Sequence, residues 1–159
     1  MADRSANWLV LAGFLAATYL VAGISAYFTT AEIPHWYAAL AKPAFNPPNW
    51  IFGPVWTTLY TLMAIAAWLV SKSPAAPARS TALALFWIQL ALNFAWSFIF
   101  FSAHQIGFAL IEILVLWLTL VLTMIAFFRV SPIASWLFVP YLAWVSFASL
   151  LNYSLWRLN

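Results

Sequence analysis

Cysteine is absent from this chain of 159 residues, and that absence excludes thiolate metal sites, iron–sulfur clusters, cysteine nucleophiles and disulfides together. Charge is nearly absent as well. Asp, Glu, Lys and Arg make up 6% of the residues, against about 25% in an ordinary soluble domain, which rules out a water-soluble globular protein. The formal net charge of +3 comes from six basic residues standing singly between apolar runs, so no patch or stripe exists to hold nucleic acid. The glycines, Gly13, Gly23, Gly53 and Gly107, form neither a P-loop nor a dinucleotide fingerprint. No Ser–His–acid set or zinc-spaced cluster occurs, so the expected metal complement is none.

What the chain has in abundance is apolar sequence: 67% of it is hydrophobic. Crossing a hydrocarbon layer of about 30 Å takes about 20 residues of helix, and the apolar runs lack the period-2 alternation of barrel strands. The expected fold is therefore all-α, an integral membrane bundle of five transmembrane helices forming one domain over 1–159. The spans read as about 8–28, 50–70, 81–101, 106–128 and 132–156. The first run is longer than the roughly 7–15 residues of a signal-peptide core and is kept as a span. A long loop, 29–49, carries Glu32, His35 and Lys42 with Pro34, Pro43, Pro47 and Pro48, and is too rich in aromatics for a solvated linker. Pro54 is tolerated in the first turns of helix 2, and Pro140 is expected to kink helix 5 near its middle. Arg4, Lys72, Arg79 and Arg129 fall on one side and Lys42 and Arg157 on the other, which favours a cytoplasmic N-terminus. No internal repeat stands out, which counts against a transporter built from inverted halves.

Three helix faces mix aromatic and polar residues. Helix 3 aligns Gln89, Asn93, Trp96 and Phe100; helix 2 aligns Trp56, Tyr60 and Met63; helix 5 aligns Pro140, Trp144, Ala148 and Leu151. These faces could converge on one cavity, or the amides could simply tie helices together. Of the eleven tryptophans, Trp8, Trp50 and Trp156 suit the membrane interface, whereas Trp56, Trp96, Trp117 and Trp144 lie deeper. A deep aromatic lining with a few amides suits a flat apolar ligand better than a hydrated ion. Glu112 shares a face with Thr119 and Thr123. A proton relay would need further titratable partners, and none appears, so a carboxyl hydrogen-bonded within the bundle is the expectation. His35 and His104 could be axial ligands to a haem iron if their loops met, but each reads more readily as an interfacial residue. Leu151, Tyr153 and Arg157 satisfy a loose cholesterol-contact pattern that an interfacial anchor would satisfy equally.

Several runs together resemble the translocator protein family, also called TspO, tryptophan-rich sensory protein or peripheral-type benzodiazepine receptor. They are His35-Trp36-Tyr37, Lys42-Pro43, Asn46-Pro47-Pro48-Asn49-Trp50, Gly53-Pro54-Val55-Trp56-Thr57-Thr58-Leu59-Tyr60, the stretch from Gln89 to Trp96, Pro140-Tyr141-Leu142-Ala143-Trp144, Phe147-Ala148, Leu151-Asn152-Tyr153 and Trp156-Arg157. The resemblance implies a five-helix bundle with a cavity beneath the first long loop, binding porphyrins such as protoporphyrin IX, benzodiazepine-site drugs and cholesterol. By position it implies a ligand site of Trp36, Trp50, Trp56, Tyr60, Asn93, Trp96, Trp144, Phe147, Ala148 and Leu151, with Tyr153 and Arg157 marking the sterol-contact segment. It implies a receptor, sensor or porphyrin-handling protein that requires no cofactor, porphyrin being its ligand. Two rival readings remain, a porphyrin or sterol transporter and a light- and oxygen-dependent porphyrin-degrading enzyme in which Trp56 and Trp144 would act. The expected partners are the lipid bilayer, a flat apolar molecule and, in some hosts, cholesterol. A homodimer would lack the glycine pair some members carry on helix 3 and would rely on Ala91 and Ala95. The compact chain suggests a bacterial cell membrane rather than an organelle.

Overall fold

Five runs of apolar sequence become five helices long and apolar enough to cross a membrane, because a backbone without water must satisfy its own hydrogen bonds. A computed structural model describes residues 2–74 and 77–159, with side chains from Asn7 onward in the first helix. The elements are α1 (Ala2–Glu32), α2 (Phe52–Ser71), α3 (Pro77–Ser97), α4 (Ile106–Val130), the short α5 (Pro132–Trp136) and α6 (Val139–Leu158). The fifth crossing is α5 followed by α6, spanning Pro132–Leu158. The Arg4 side chain, used above for orientation, lies outside the described residues, as do residues 75 and 76 of the connector before α3.

Two boundaries differ from the sequence expectation. The first helix does not stop at residue 28; it runs to Glu32 and continues through a π-helical turn, Ile33–Tyr37. Pro34 fails to break it because it sits at the start of that wider turn, where its missing N–H is least costly. The remaining loop is short and tied. Tyr37 donates to Asn46 Oδ1 at 2.8 Å, and the Lys42 ammonium donates to the carbonyls of Ala38 and Leu40 while lying over the Tyr37 ring. The Asn159 side chain both accepts from the Ala41 N–H (2.9 Å) and donates to its carbonyl (3.0 Å). The second difference is in the last crossing. Pro140 does not kink the helix near its middle; the chain breaks earlier, at Leu137–Phe138, and Pro140 lies in the first turn of α6. Lacking an N–H, Pro140 cannot receive the carbonyl one turn back, so the preceding helix ends there.

Hydrocarbon gives helices little reason to associate, so close backbone approach must hold them together. Ala64, Ala66, Ala67, Ala82, Ala109 and Ala134 are fully buried where helices meet. Between them pack Phe86, Phe127, Phe138 and Leu120. A second cluster around Tyr37, Phe100, Phe101 and Leu155 lies where the first loop meets the α3–α4 turn. There a second π-helical turn, Phe98–Ser102, ends the third crossing. Helix α1 is the most peripheral crossing; its buried side chains among those described are Phe14, Thr18 and Ser25. Trp117, expected to lie deep, is on the outer face and donates to Ser146. Glu112 keeps both carboxyl oxygens buried without a hydrogen-bond partner, while Thr119 and Thr123 bond to their own helix. The expected hydrogen-bonded carboxyl is thus not formed.

Candidate functional site

A cavity of about 600 Å³ opens beneath the first loop, walled by α1, α2, α3, α4 and α6. Helical spacing builds its aromatic walls. On α2, Trp56 and Tyr60 are four apart, one above the other on the inner face, with ring centroids 5.5 Å apart. On α6, Trp144 meets Trp56 edge to face at 6.5 Å and 86°, and packs against Phe147 at 5.6 Å. On α3, Trp96 stacks on Phe100 at 5.1 Å and 22°. Edge-to-face and offset contacts of this kind fix ring orientation as well as bury area.

The polar atoms of the cavity are mostly spoken for. The Tyr60 hydroxyl donates to Asn93 Oδ1 at 2.5 Å, and Asn93 Nδ2 donates to the Tyr141 hydroxyl at 2.7 Å. Asn93 thereby joins α2, α3 and α6 through three residues that are each at most 3% exposed. The Trp96 indole donates to Asn152 Oδ1, and Asn152 Nδ2 donates to the carbonyl of Ile106 at the start of α4. The buried Ser25 hydroxyl on α1 has no partner. What the cavity offers an occupant is therefore ring faces first and a single free hydroxyl second. That is the chemistry of holding a flat, mainly apolar molecule.

Of the ten residues expected to bind ligand, nine line this cavity: Trp50, Trp56, Tyr60, Asn93, Trp96, Trp144, Phe147, Ala148 and Leu151. Trp36 does not. Its ring stacks on His104 at 4.3 Å and meets Phe100 edge-on, so it backs a wall residue from outside. His104 also meets the Glu32 carboxylate at 3.1 Å, while His35 is exposed. The two histidines are thus not brought together as a ligand pair. Among the described residues no group of three or more His, Asp or Glu could hold a metal ion. Tyr153 and Arg157 lie on the outer face near the end of α6, Tyr153 against Trp156. Gln89 and Met63, which share faces with the site by spacing, are buried in the core instead, the Gln89 amide against the Met63 sulfur.

Sequence reasoning missed the α1 wall, formed by small residues such as Ala22, Gly23, Ser25 and Ala26. Their recurrence at helical spacing was the available signal. It also missed Tyr141 and Asn152, whose hydrogen bonds brace Asn93 and Trp96; each is a polar residue within a step or a turn of a wall residue on α6. Trp144 and Phe147 carry a further feature. They wall the cavity on one side and an outward groove between α2 and α6, with Pro54, Thr58 and Ala143, on the other.

Residues 14–157 match the TspO/MBR family. The chain is similar to the translocator protein of Homo sapiens, 42% identical over 154 residues covering 96% of this chain and 91% of that one. It is 45% identical over 133 residues to the tryptophan-rich protein TspO of Chlorobaculum tepidum, covering 83% and 84% of the two chains. The tryptophan-rich sensory protein of Cereibacter sphaeroides is 40% identical over 153 residues, covering 96% and 93%.

Proposed function

Because this multi-pass membrane chain belongs to the TspO/MBR family, we propose that its cavity binds porphyrins of the protoporphyrin IX class, and that the protein senses or handles them. The observation that carries this reading is the lining: four indoles, of Trp50, Trp56, Trp96 and Trp144, around about 600 Å³. That volume falls within the range of roughly 300–1,000 Å³ typical of small-molecule sites. The same apolar lining suits ligands of benzodiazepine-site and sterol type. For a sterol, Tyr153 and Arg157 would offer an outer contact. The names of the relatives, translocator and sensory protein, and the occurrence of bacterial members among them support a porphyrin-related role in a bacterial cell membrane.

The test is a titration of the purified protein with protoporphyrin IX in darkness, followed by tryptophan fluorescence. Saturable quenching at micromolar porphyrin, weakened at least tenfold by Trp144→Ala, is the expected result. Quenching that never saturates refutes the proposal.

One observation favours a second reading. Trp56 and Trp144 stand edge to face at 6.5 Å within the cavity, where an excited porphyrin would lie against oxidisable indoles with dioxygen as the oxidant. Under that reading most of the chemistry belongs to the photosensitiser, and the protein supplies orientation and enclosure. Illuminating the same titrated sample separates the two. A stable porphyrin spectrum supports binding alone, and bleaching to a defined product supports light-driven degradation.

A further inference from the structure

The cavity is not closed equally on all sides. Every exposed residue of its wall belongs to α1 or to the stretch 49–57, and none belongs to α3, α4 or α6. On α1 the exposed wall residues are Tyr19, Gly23, Ala26 and Thr30, at steps of four, three and four, which is one stripe of a helix. Facing them from α2 are Gly53 and Thr57.

This seam is tied at one end only. Trp8 stacks on Trp68, the Trp68 indole donates to the Asn7 carbonyl, and the Tyr19 hydroxyl bonds to Thr61 at 2.7 Å. Among the described residues, the hydrogen bonds between these two helices reach no further along α1 than Tyr19. From Tyr19 to Thr30 the open stretch is about 16 Å, roughly half the hydrocarbon thickness. A Cβ built at Gly23 or Gly53 would meet nothing within 4 Å. The threonines present no free polar atom, since Thr30 bonds to the Ala26 carbonyl and Thr57 to that of Gly53. Such back-bonding leaves methyl groups at the surface, so the seam matches hydrocarbon. The loop side, by contrast, is held by the Tyr37–Asn46 bond and the Asn159–Ala41 clasp.

We propose that the seam between α1 and α2 is a lateral portal through which a flat apolar ligand passes between the bilayer and the cavity, with Tyr19 as its latch. The identity of that ligand rests on the binding reading above; the portal itself does not.

The test exploits the absence of cysteine. Ser25, a buried cavity wall residue with an unpartnered hydroxyl, is replaced in a Ser25→Cys variant. The protein is reconstituted in phosphatidylcholine vesicles and exposed to N-phenylmaleimide dissolved in the bilayer. Adding Gly23→Phe, which fills the seam, slows labelling at least tenfold. Adding Gly13→Phe leaves it unchanged, because Gly13 is an exposed α1 glycine outside the cavity with equally open surroundings. Adding Tyr19→Phe instead, which removes the latch without filling space, speeds labelling severalfold. Equal labelling in the Gly23→Phe and Gly13→Phe proteins, or no labelling of the parent variant, overturns the portal. Dark protoporphyrin IX titration of the cysteine-free protein in the same vesicles keeps the two proposals apart. Expected labelling without saturable quenching removes the porphyrin reading alone, whereas saturable quenching with equal labelling removes the portal alone.

Discussion

Replacing Asn93 by Leu tests whether the amide at the cavity floor holds three helices together. Leu is close to Asn in size, so the packing change is small, and the loss is chiefly of two interhelical hydrogen bonds, to Tyr60 and Tyr141. Such bonds in membrane bundles are worth about 0.6 kcal/mol on average and about 1.7 at most. The pair therefore contributes about 1–3 kcal/mol. The residue left behind decides where in that range the cost falls. The Tyr60 hydroxyl loses its acceptor but lines the cavity, where it has room to turn. The Tyr141 hydroxyl is 1% exposed and outside the cavity wall, so it is stranded, and an unmet buried polar group costs about 1–3 kcal/mol. We expect a destabilisation of about 2–3 kcal/mol, read from an SDS unfolding titration in mixed micelles followed by circular dichroism. A triple variant, Asn93→Leu with Tyr60→Phe and Tyr141→Phe, removes the stranded hydroxyls and recovers about 1 kcal/mol of that loss. Asn93→Leu within about 0.5 kcal/mol of the parent, or a triple variant less stable than the single one, refutes the reasoning.

His104 is a non-glycine residue at φ 53°, so His104→Gly should be more stable than His104→Ala by about 1 kcal/mol in thermal melts. Both lose the Trp36 stack and the Glu32 contact, which leaves backbone strain as the difference. Gln89 is fully buried with an unpartnered carbonyl oxygen; Gln89→Leu should be neutral or stabilising by up to about 1 kcal/mol, and a clear loss on SDS unfolding contradicts this. Asn159→Ala frees Ala41 from its clasp, and hydrogen exchange at the Ala41 amide should rise about tenfold, the equivalent of about 1.4 kcal/mol. If light-driven degradation operates, Trp56→Phe and Trp144→Phe should each slow bleaching at least tenfold at saturating porphyrin, measured by porphyrin absorbance.

Hydropathy made the five crossings legible, and steps of three and four placed Trp56, Tyr60, Asn93, Trp96 and Trp144 on inward faces before any coordinates. Proline misled twice for one reason. Pro34 and Pro140 were read as interruptions where they stand, but each sits at a helix start, and the adjustment falls elsewhere, in a π-turn or in the preceding break. The α1 wall was invisible because glycine and alanine advertise no chemistry; what they contribute is space. Trp36 shows the opposite case. Its type and motif suited a ligand, but in three dimensions His104 takes its ring face. Sequence periodicity gives the side of a helix and says nothing of which neighbour arrives there.

The two π-turns, Ile33–Tyr37 and Phe98–Ser102, lie at the same end of the bundle, and their aromatics interlock: Trp36 and Tyr37 against Phe100, and Tyr37 against Phe101. A π-turn holds one residue more than the α-helix would, so each is a counted insertion rather than a chemical preference. Deleting one residue from either would restore ordinary winding and swing all that follows by about 100°, parting Tyr37 from Asn46 or Phe100 from Trp96. The roof of the cavity is thus indexed by chain length. Within these ten positions substitutions trade one contact for another, whereas a change of a single residue in number rotates the whole joint out of mesh.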